Sequence, residues 1–441
     1  MRDGDTIVAL SSGAVPAGVA VIRLSGPAAG AVLQQMLGAL PAPRRLILTD
    51  IVLGGDHLDR GLVAWMPGPH SFTGEDCAEL QLHGSPAVVR GVLQRLTAMA
   101  GLRLAEAGEF TRRAFENGKL DLVEAQGLGD LIEAETENQR ALAYARMQGG
   151  LTRRIEDWRE RLLELRAEVE AQLDFSDEGD VGALPPSFEQ QVLALHADIS
   201  RVLATRGQGR IIRDGYRVVL AGPPNAGKSS LLNALSRSDA AIVSEEAGTT
   251  RDLKEIPLDI NGQLILLIDS AGIRDTQSIA ERLGVDRARA AMQQADLVLW
   301  LNSPDQPQVL PPDFAELGDE RWDRPPVVKV GTKRDLGPTA GSEISVSSLS
   351  GEGIAPLLQL LHDASGAGTV AAGSLLVSHE RDQIALVAAA GAIGTAAGQL
   401  HRPELAGEEL RAASAALERL LGRMDAEAVL DRLFSAFCIG K

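Results

Sequence analysis

Apolar residues change their spacing twice along the chain, and the changes mark out its parts. Up to about residue 115, short apolar runs alternate with turn residues. VAVIRLSG (19–26), LILTDIVL (46–53), RGLVAWM (60–66) and CAELQLHG (77–84) predict strands, and PAVVRGVLQRLTAMAG (86–101), closed by a glycine, predicts a helix. This stretch reads as an α+β unit. From about residue 118, apolar residues recur at helical spacing with charges between them, which predicts amphipathic helices. A loop, FSDEGDVGALPPS (175–187), interrupts them before FEQQVLALHADISRVLATR resumes the pattern. At Tyr216 the pattern changes again: YRVVLAGPPNAGKSSLLNAL reads as strand, glycine-rich loop and helix. Strand-like runs recur at LILLID (264–269), ADLVLWL (295–301) and PVVKVG (326–331), with helical stretches between. Strands alternating with helices predict a doubly wound parallel sheet. It closes near residue 367, and the chain is then helical again to FCIGK (437–441). The simplest architecture is a helical domain split by an inserted α/β domain.

Composition changes this picture little. Hydrophobic residues make up 45% and charged residues 23%, as in ordinary globular proteins, and only 3% are aromatic, which favours helices packed through aliphatic side chains. The formal net charge of −17 means that a nucleic-acid partner has to meet a local basic patch or be held by another subunit. Cys77 and Cys438 are the two cysteines, so neither a disulfide framework nor a Cys/His metal pattern is expected. The absence of a long apolar run and of a basic-then-apolar leader makes a cytoplasmic protein without membrane contact the expectation.

The chemistry concentrates in the third regime. Gly222 to Ser229, GPPNAGKS, fits the phosphate-binding loop pattern: glycines let backbone N–H groups face phosphates, and the following helix N-terminus adds positive potential. Asn225, Ala226, Gly227, Lys228, Ser229 and Ser230 then surround the phosphates. Lys228 reaches the β- and γ-phosphates and Ser229 ligates magnesium. AGTTRD (247–252) places Thr249 at the nucleotide and Thr250 as a second magnesium ligand. DSAG (269–272) puts Asp269 at a strand end facing the metal and lets Gly272 give its N–H to the γ-phosphate. TKRD, Thr332 to Asp335 with Lys333, follows a strand, and Asp335 can accept from guanine N1–H and N2–H₂. Adenine offers no such donor pair, so GTP is the expected nucleotide. The motif usually begins with asparagine, and here it begins with Thr332. The last base-contacting motif is assigned to Ser347, Ser348 and Leu349.

The whole chain resembles the MnmE (TrmE) family of tRNA modification GTPases. The resemblance is carried by DTIVAL (5–10), VIRLSGP (21–27), SFTGEDCAELQLHG (71–84), GEFTRRAFENGKLDL (108–122), the nucleotide motifs, DSAGIR (269–274) and FCIGK. It implies an N-terminal α/β domain for folate binding and dimerisation (1–117), a helical domain in two parts (118–212 and 369–441), and an inserted Ras-like P-loop G domain (213–368). It implies modification at C5 of the wobble uridine of certain tRNAs, with an FAD-containing partner in a heterotetramer and a tetrahydrofolate derivative in the 5-formyl or methylene form. Folate contacts carry over to Arg23, Glu79, Lys119 and Lys441. Four of the six lysines, Lys119, Lys228, Lys333 and Lys441, fall within matched motifs of a chain that otherwise prefers arginine.

The resemblance further makes Asn225 a potassium ligand, with Ser244, Glu246 and Thr249 supplying the remaining oxygens and GTP hydrolysis stimulated as G domains of a homodimer meet. Glu281 matches the carboxylate that orients the attacking water, and with Lys228 and Gly272 completes the expected catalytic set. Cys438 is assigned to the modification site. His83 is read as a structural histidine rather than a base. The stretch SSGAVPAG (11–18) departs from the family's Gly-Arg-Gly loop. The competing reading is an RNA-binding GTPase switch in ribosome assembly, which would carry an appended basic domain.

Overall fold

The computed structural model describes residues 4–174, 184–185, 187–242, 255–269, 292–307, 309, 325–366, 375–424 and 427–440. The N-terminal elements are β1 Thr6–Leu10, β2 Ala17–Ser25, α1 Ala29–Leu37, β3 Leu46–Leu53, β4 Asp56–Met66, β5 Cys77–Gly84, α2 Pro86–Thr97, β6 Leu102–Leu104 and α3 Glu109–Glu116. Helices follow: α4 Leu122–Glu133, α5 Glu137–Met147, α6 Gly150–Asp174, α7 Phe188–Leu203 and α8 Arg206–Asp214. Next come β7 Tyr216–Ala221, α9 Lys228–Leu235, β8 Glu255–Ile260, β9 Gln263–Asp269, β10 Leu297–Asn302, β11 Val327–Gly331, β12 Ile344–Ser345 and α10 Ile354–Ala364. The chain ends in α11 Glu380–Gly398, α12 Pro403–Leu420 and α13 Glu427–Ser435. These elements form two compact units, Met1–Gly129 with Ser414–Lys441, and Asp130–Ala413.

In the first unit six strands pair in the order β3-β4-β5-β2-β1-β6, antiparallel except for β1 with β6. One face of the sheet buries Ile22, Leu24, Val63, Leu80 and Leu82 against α1 and α2. The strand expected at 60–66 starts earlier, at Asp56, because Gly54 and Gly55 both take positive φ and turn β3 directly into β4. The helix expected over 86–101 ends at Thr97, and Gly101, at φ +79, leads into β6 instead. Helix α3 is held by charge. Glu109, 4% exposed, accepts from Arg103 and Arg113, and Arg113 also bonds Glu75. Burial opposes the charge on Glu109, but these guanidinium bonds hold its carboxyl below the usual range.

The end of the chain returns to this sheet. Ser11 Oγ donates to the Gly440 carbonyl at 2.8 Å, and Ile439 makes a bridge with Ala107. Gly440 sits at φ +98 with a Cβ site 2.2 Å from the Leu10 oxygen, so only glycine fits there.

In the second unit the sheet order is β12-β11-β10-β7-β9-β8. All pairings are parallel except β8 with β9, so the doubly wound sheet carries one antiparallel edge strand. The cause is Asn261-Gly262, with φ of 53° and 84°, a two-residue hairpin turn of the type that both residues favour. The helices of this unit are clasped by polar groups. Arg146 on α5 and Asp382 on α11, both fully buried, pair at 2.8 Å across 236 residues of sequence. Thr136 and Gln139 form a reciprocal capping box at the start of α5. Asp130 accepts from His379 at 2.8 Å and from Arg213 at 3.0 Å. Burial opposes the Asp130 charge, but the His379 bond and the nearby Arg213 and Arg146 charges outweigh it and hold the carboxyl at about 2.

Two outcomes follow. Asp382→Asn leaves a guanidinium buried without its counter-charge and lowers stability by about 3–5 kcal/mol, read as a fall in the urea midpoint of helical circular dichroism. Because the folded pKa of Asp130 lies below the unfolded value, its contribution is complete above about pH 4 and is lost as pH falls towards 2. An acid titration of stability therefore shows a decline of roughly 2 kcal/mol over that window that Asp130→Asn lacks; an unchanged acid limb would contradict this role.

Candidate nucleotide-binding site

The site lies at the carboxyl ends of β7, β9, β10 and β11, where open α/β sheets bind ligands. Apolar strand β7 ends at Ala221, and the loop Gly222–Gly227 leads into α9. Gly222 takes φ +139, and a Cβ there would stand 2.3 Å from the Leu301 carbonyl, so the loop lies directly on the end of β10. Asn225 takes φ +62 and Gly227, the N-cap of α9, takes φ +91. These left-handed residues fold the loop around the N-terminus of α9, whose N–H groups have no intrahelical partners. Lys228 is 8% exposed and its Nζ donates to the carbonyls of Gly222 at 2.7 Å and Pro223 at 2.8 Å. Ser229 Oγ donates to Asp269 Oδ2 at 3.2 Å, and Asp269, at the end of β9, is 1% exposed. A hydroxyl and a carboxylate side by side are hard oxygen ligands of the kind that, with phosphate oxygens, suits magnesium.

On the other side of Gly227 is a cavity of about 840 Å³ lined by Ser230, Thr332, Lys333, Asp335, Ser348 and Leu349 among others, within the size range of small-molecule sites. Asp335 is exposed at its edge, and its Oδ1 accepts from Ser347 Oγ at 2.5 Å. Ser347 is fully buried and also accepts the Ser350 N–H at 3.2 Å, so it orients the carboxylate from beneath. Leu349 is 87% exposed. Lys333 takes φ +50, and its Nζ pairs with Asp305 at 2.8 Å. That ammonium, followed by the Ser303 hydroxyl, holds the Asp305 carboxyl below the usual range.

Thr332 joins the two halves. It is 2% exposed, its N–H donates to the Asn302 carbonyl at 2.8 Å, and its hydroxyl lies 2.6 Å from the Ala226 carbonyl. The hydroxyl in place of the usual amide therefore still reaches the phosphate loop. Asn233, Arg237 and Ile354 also line the cavity, and Asp305 flanks it. Asn233 lies in the helical part of GPPNAGKSSLLNAL, beyond the phosphate-binding pattern, and Arg237, Ile354 and Asp305 lie in no motif; they reach the site only by the packing of α9, α10 and the β10 end.

Of the remaining candidates, Arg23 on β2 and Glu79 on β5 are directly cross-strand and pair at 2.9 Å, half-buried, with the Arg23 guanidinium 5.5 Å from the centre of the Phe72 ring and 5.7 Å from that of Phe110. Lys119 bonds through its N–H to Ala114, and its Cε flanks Gly74. Cys438 is exposed, whereas Cys77 is buried beside Thr73. His83 is exposed, and its ring and N–H both bond Asp59 on the neighbouring strand. Burial opposes the Asp59 charge, but the two His83 bonds and one from Arg60 hold the carboxyl below the usual range. His83 thus ties β5 to β4. Ser244, Glu246, Thr249, Thr250, Gly272, Glu281 and Lys441 lie outside the described residues. Among the described residues no helix is long and apolar enough to cross a membrane.

Residues 6–119 match the family model described as the GTP-binding protein TrmE N-terminus, and residues 122–438 match the model described as the MnmE helical domain. The chain is 46% identical over 449 residues to the tRNA modification GTPase MnmE of Sinorhizobium medicae (strain WSM419), covering 100% of both. It is 46% identical over 442 residues to the tRNA modification GTPase MnmE of Brucella abortus (strain 2308), covering 99% of this chain and 98% of that one. Among solved structures, the G domain of the T. maritima FeoB iron transporter is 26% identical over 34% of this chain and 98% of that one, at a TM-score of 0.24. The full-length likeness joins the phosphate loop, the buried Asp269 and the Asp335 loop in one assignment: the chain belongs to the MnmE family of tRNA modification GTPases.

Proposed function

We propose that this tRNA modification GTPase binds GTP with its phosphates in the Gly222–Ser229 loop and its base against Asp335, and hydrolyses it with help from potassium. The observation that carries the reading is the meeting, through Thr332, of the Lys228–Ser229–Asp269 cluster with the Asp335–Ser347 pair at the ends of one sheet. Lys228 and the loop N–H groups oppose the negative charge of the triphosphate, and Ser229, with Thr250, holds magnesium, which supplies charge neutralisation at the β- and γ-phosphates. Asp269 holds the Ser229 hydroxyl in place. Asp335, oriented by Ser347, selects guanine by accepting from its two ring-edge donors.

The finer assignments are part of the proposal. Asn225 is exposed in a left-handed position of the loop, so its amide oxygen is suited to ligate potassium together with Ser244, Glu246 and Thr249. Gly272 and Glu281 serve the γ-phosphate and the attacking water. The chain is read as an N-terminal domain (1–117), a helical domain (118–212 and 369–441) and a G domain (213–368). It works as a cytoplasmic homodimer with an FAD-containing partner on the wobble uridine of tRNA. Arg23, Glu79, Lys119 and Lys441 hold a tetrahydrofolate derivative, in the 5-formyl or methylene form. The half-buried Arg23–Glu79 pair beside the exposed Phe72 ring offers charge and an aromatic face suited to a pterin. Cys438, exposed beside the returning chain end, belongs to the modification site.

Asp335→Asn lowers GDP affinity on the order of ten- to a hundredfold and turns preference towards xanthosine diphosphate, measured by competition binding. Unchanged guanine preference would remove the residue from the site. In GTP turnover assays with potassium or sodium, Asn225→Ala abolishes the potassium stimulation while nucleotide binding persists, and Glu281→Ala slows turnover on the order of a hundredfold or more at unchanged binding. Retained potassium dependence in the first variant, or full turnover in the second, would refute the respective role.

A further inference from the structure

Position 332 is where the base motif departs from its usual asparagine, and its surroundings define what the replacement does. A threonine hydroxyl has one hydrogen to give, whereas an asparagine amide has two. At Thr332 that hydrogen faces two backbone carbonyls, Ala226 of the phosphate loop at 2.6 Å and Asn302 at the end of β10 at 3.1 Å, in a residue only 2% exposed. The neighbouring donors are also engaged, Lys333 Nζ on Asp305 and Ser347 Oγ on Asp335. Gly227, with its Cβ site 3.4 Å from Thr332, packs directly against the threonine side chain, so the link is short and closely fitted.

We propose that Thr332 is a positioning residue: it fastens the base loop to the phosphate loop and makes no hydrogen bond to the base. The purine N7, an acceptor on the edge opposite the two guanine donors that Asp335 accepts, therefore goes unread at this position, and selectivity rests on the N1 and N2 donors. This inference rests on the guanine reading above. It follows that the tether acts on any guanine nucleotide alike, because it sets the spacing between the loops and does not recognise an atom of the ligand.

The test uses the full chain and calorimetric titration with GDP and 7-deaza-GDP, in which a C–H group replaces N7. The natural chain binds the two within about twofold of each other, since the hydroxyl gives nothing to N7. Thr332→Val, which keeps the shape and removes the hydrogen bond, weakens both ligands alike by about tenfold, and Thr332→Ser restores both. Thr332→Asn, with an amide hydrogen to spare, binds GDP at least about threefold more tightly than 7-deaza-GDP. The proposal is overturned if the natural chain prefers GDP by about fivefold or more and Thr332→Val abolishes that preference, because the threonine then reads the base. It is equally overturned if Thr332→Val binds both ligands as the natural chain does. Absence of binding of either nucleotide to the natural chain would instead remove the guanine site, and this role with it.

Discussion

The nucleotide site depends on how closely the loop Gly222–Gly227 lies against the end of β10. A Cβ at Gly222 would stand 2.3 Å from the Leu301 carbonyl, so the loop touches the sheet with no side chain between them. That contact fixes the height of the N-terminus of α9 above the strand ends. It also brings the Ala226 carbonyl within reach of Thr332, and Ser229 within reach of Asp269. Both halves of the candidate site are therefore set by one approach of backbone to backbone, and the buried apolar strands β7, β9 and β10 hold it. Polar groups fine-tune the site, but apolar packing places it.

The second unit extends this rigidity beyond the sheet. The turn of the β8–β9 hairpin meets the start of α5, where the Asn138 N–H donates to the Gly262 carbonyl at 3.1 Å. Helix α5 is in turn clasped to α11 by Arg146 and Asp382. Strand β9 of the hairpin ends at Asp269, so an element tied to the helices carries a carboxylate of the candidate site. A buried ion pair is a weak source of net stability. Its value here is specificity, since one register of α5 on α11 satisfies both charges. In the first unit the Arg103–Glu109–Arg113 cluster serves α3 in the same way.

Particular residues show where the sequence could be read and where it could not. The phosphate loop, Asp269 and Asp335 were legible because each motif follows a strand run whose end fixes its place. The strands at 46–53 and 77–84 were legible to the residue because alternation and turn residues agree. The antiparallel edge strand β8 was signalled by Asn261-Gly262, a hairpin dipeptide that the expectation of a wholly parallel sheet passed over. The partners of Lys333 and Asp335 were not legible. Asp305 and Ser347 lie 28 and 12 residues from them, at separations that no local pattern encodes.

Sequence alone determined the class of chemistry, because phosphate binding needs glycines, a lysine and a hydroxyl at fixed local spacing. It likewise determined the alternation of helices and strands, which depends on neighbours two to four positions apart. Only the tertiary structure decided which carbonyls the Thr332 hydroxyl bonds, where Ile439 and Gly440 lie and which charges are buried in pairs. A hydroxyl bonds whichever carbonyl the fold brings near, Gly440 fits because Leu10 happens to lie above it, and Arg146 meets Asp382 across 236 residues. Such contacts are products of packing between distant segments, and the chain's local pattern carries no trace of them.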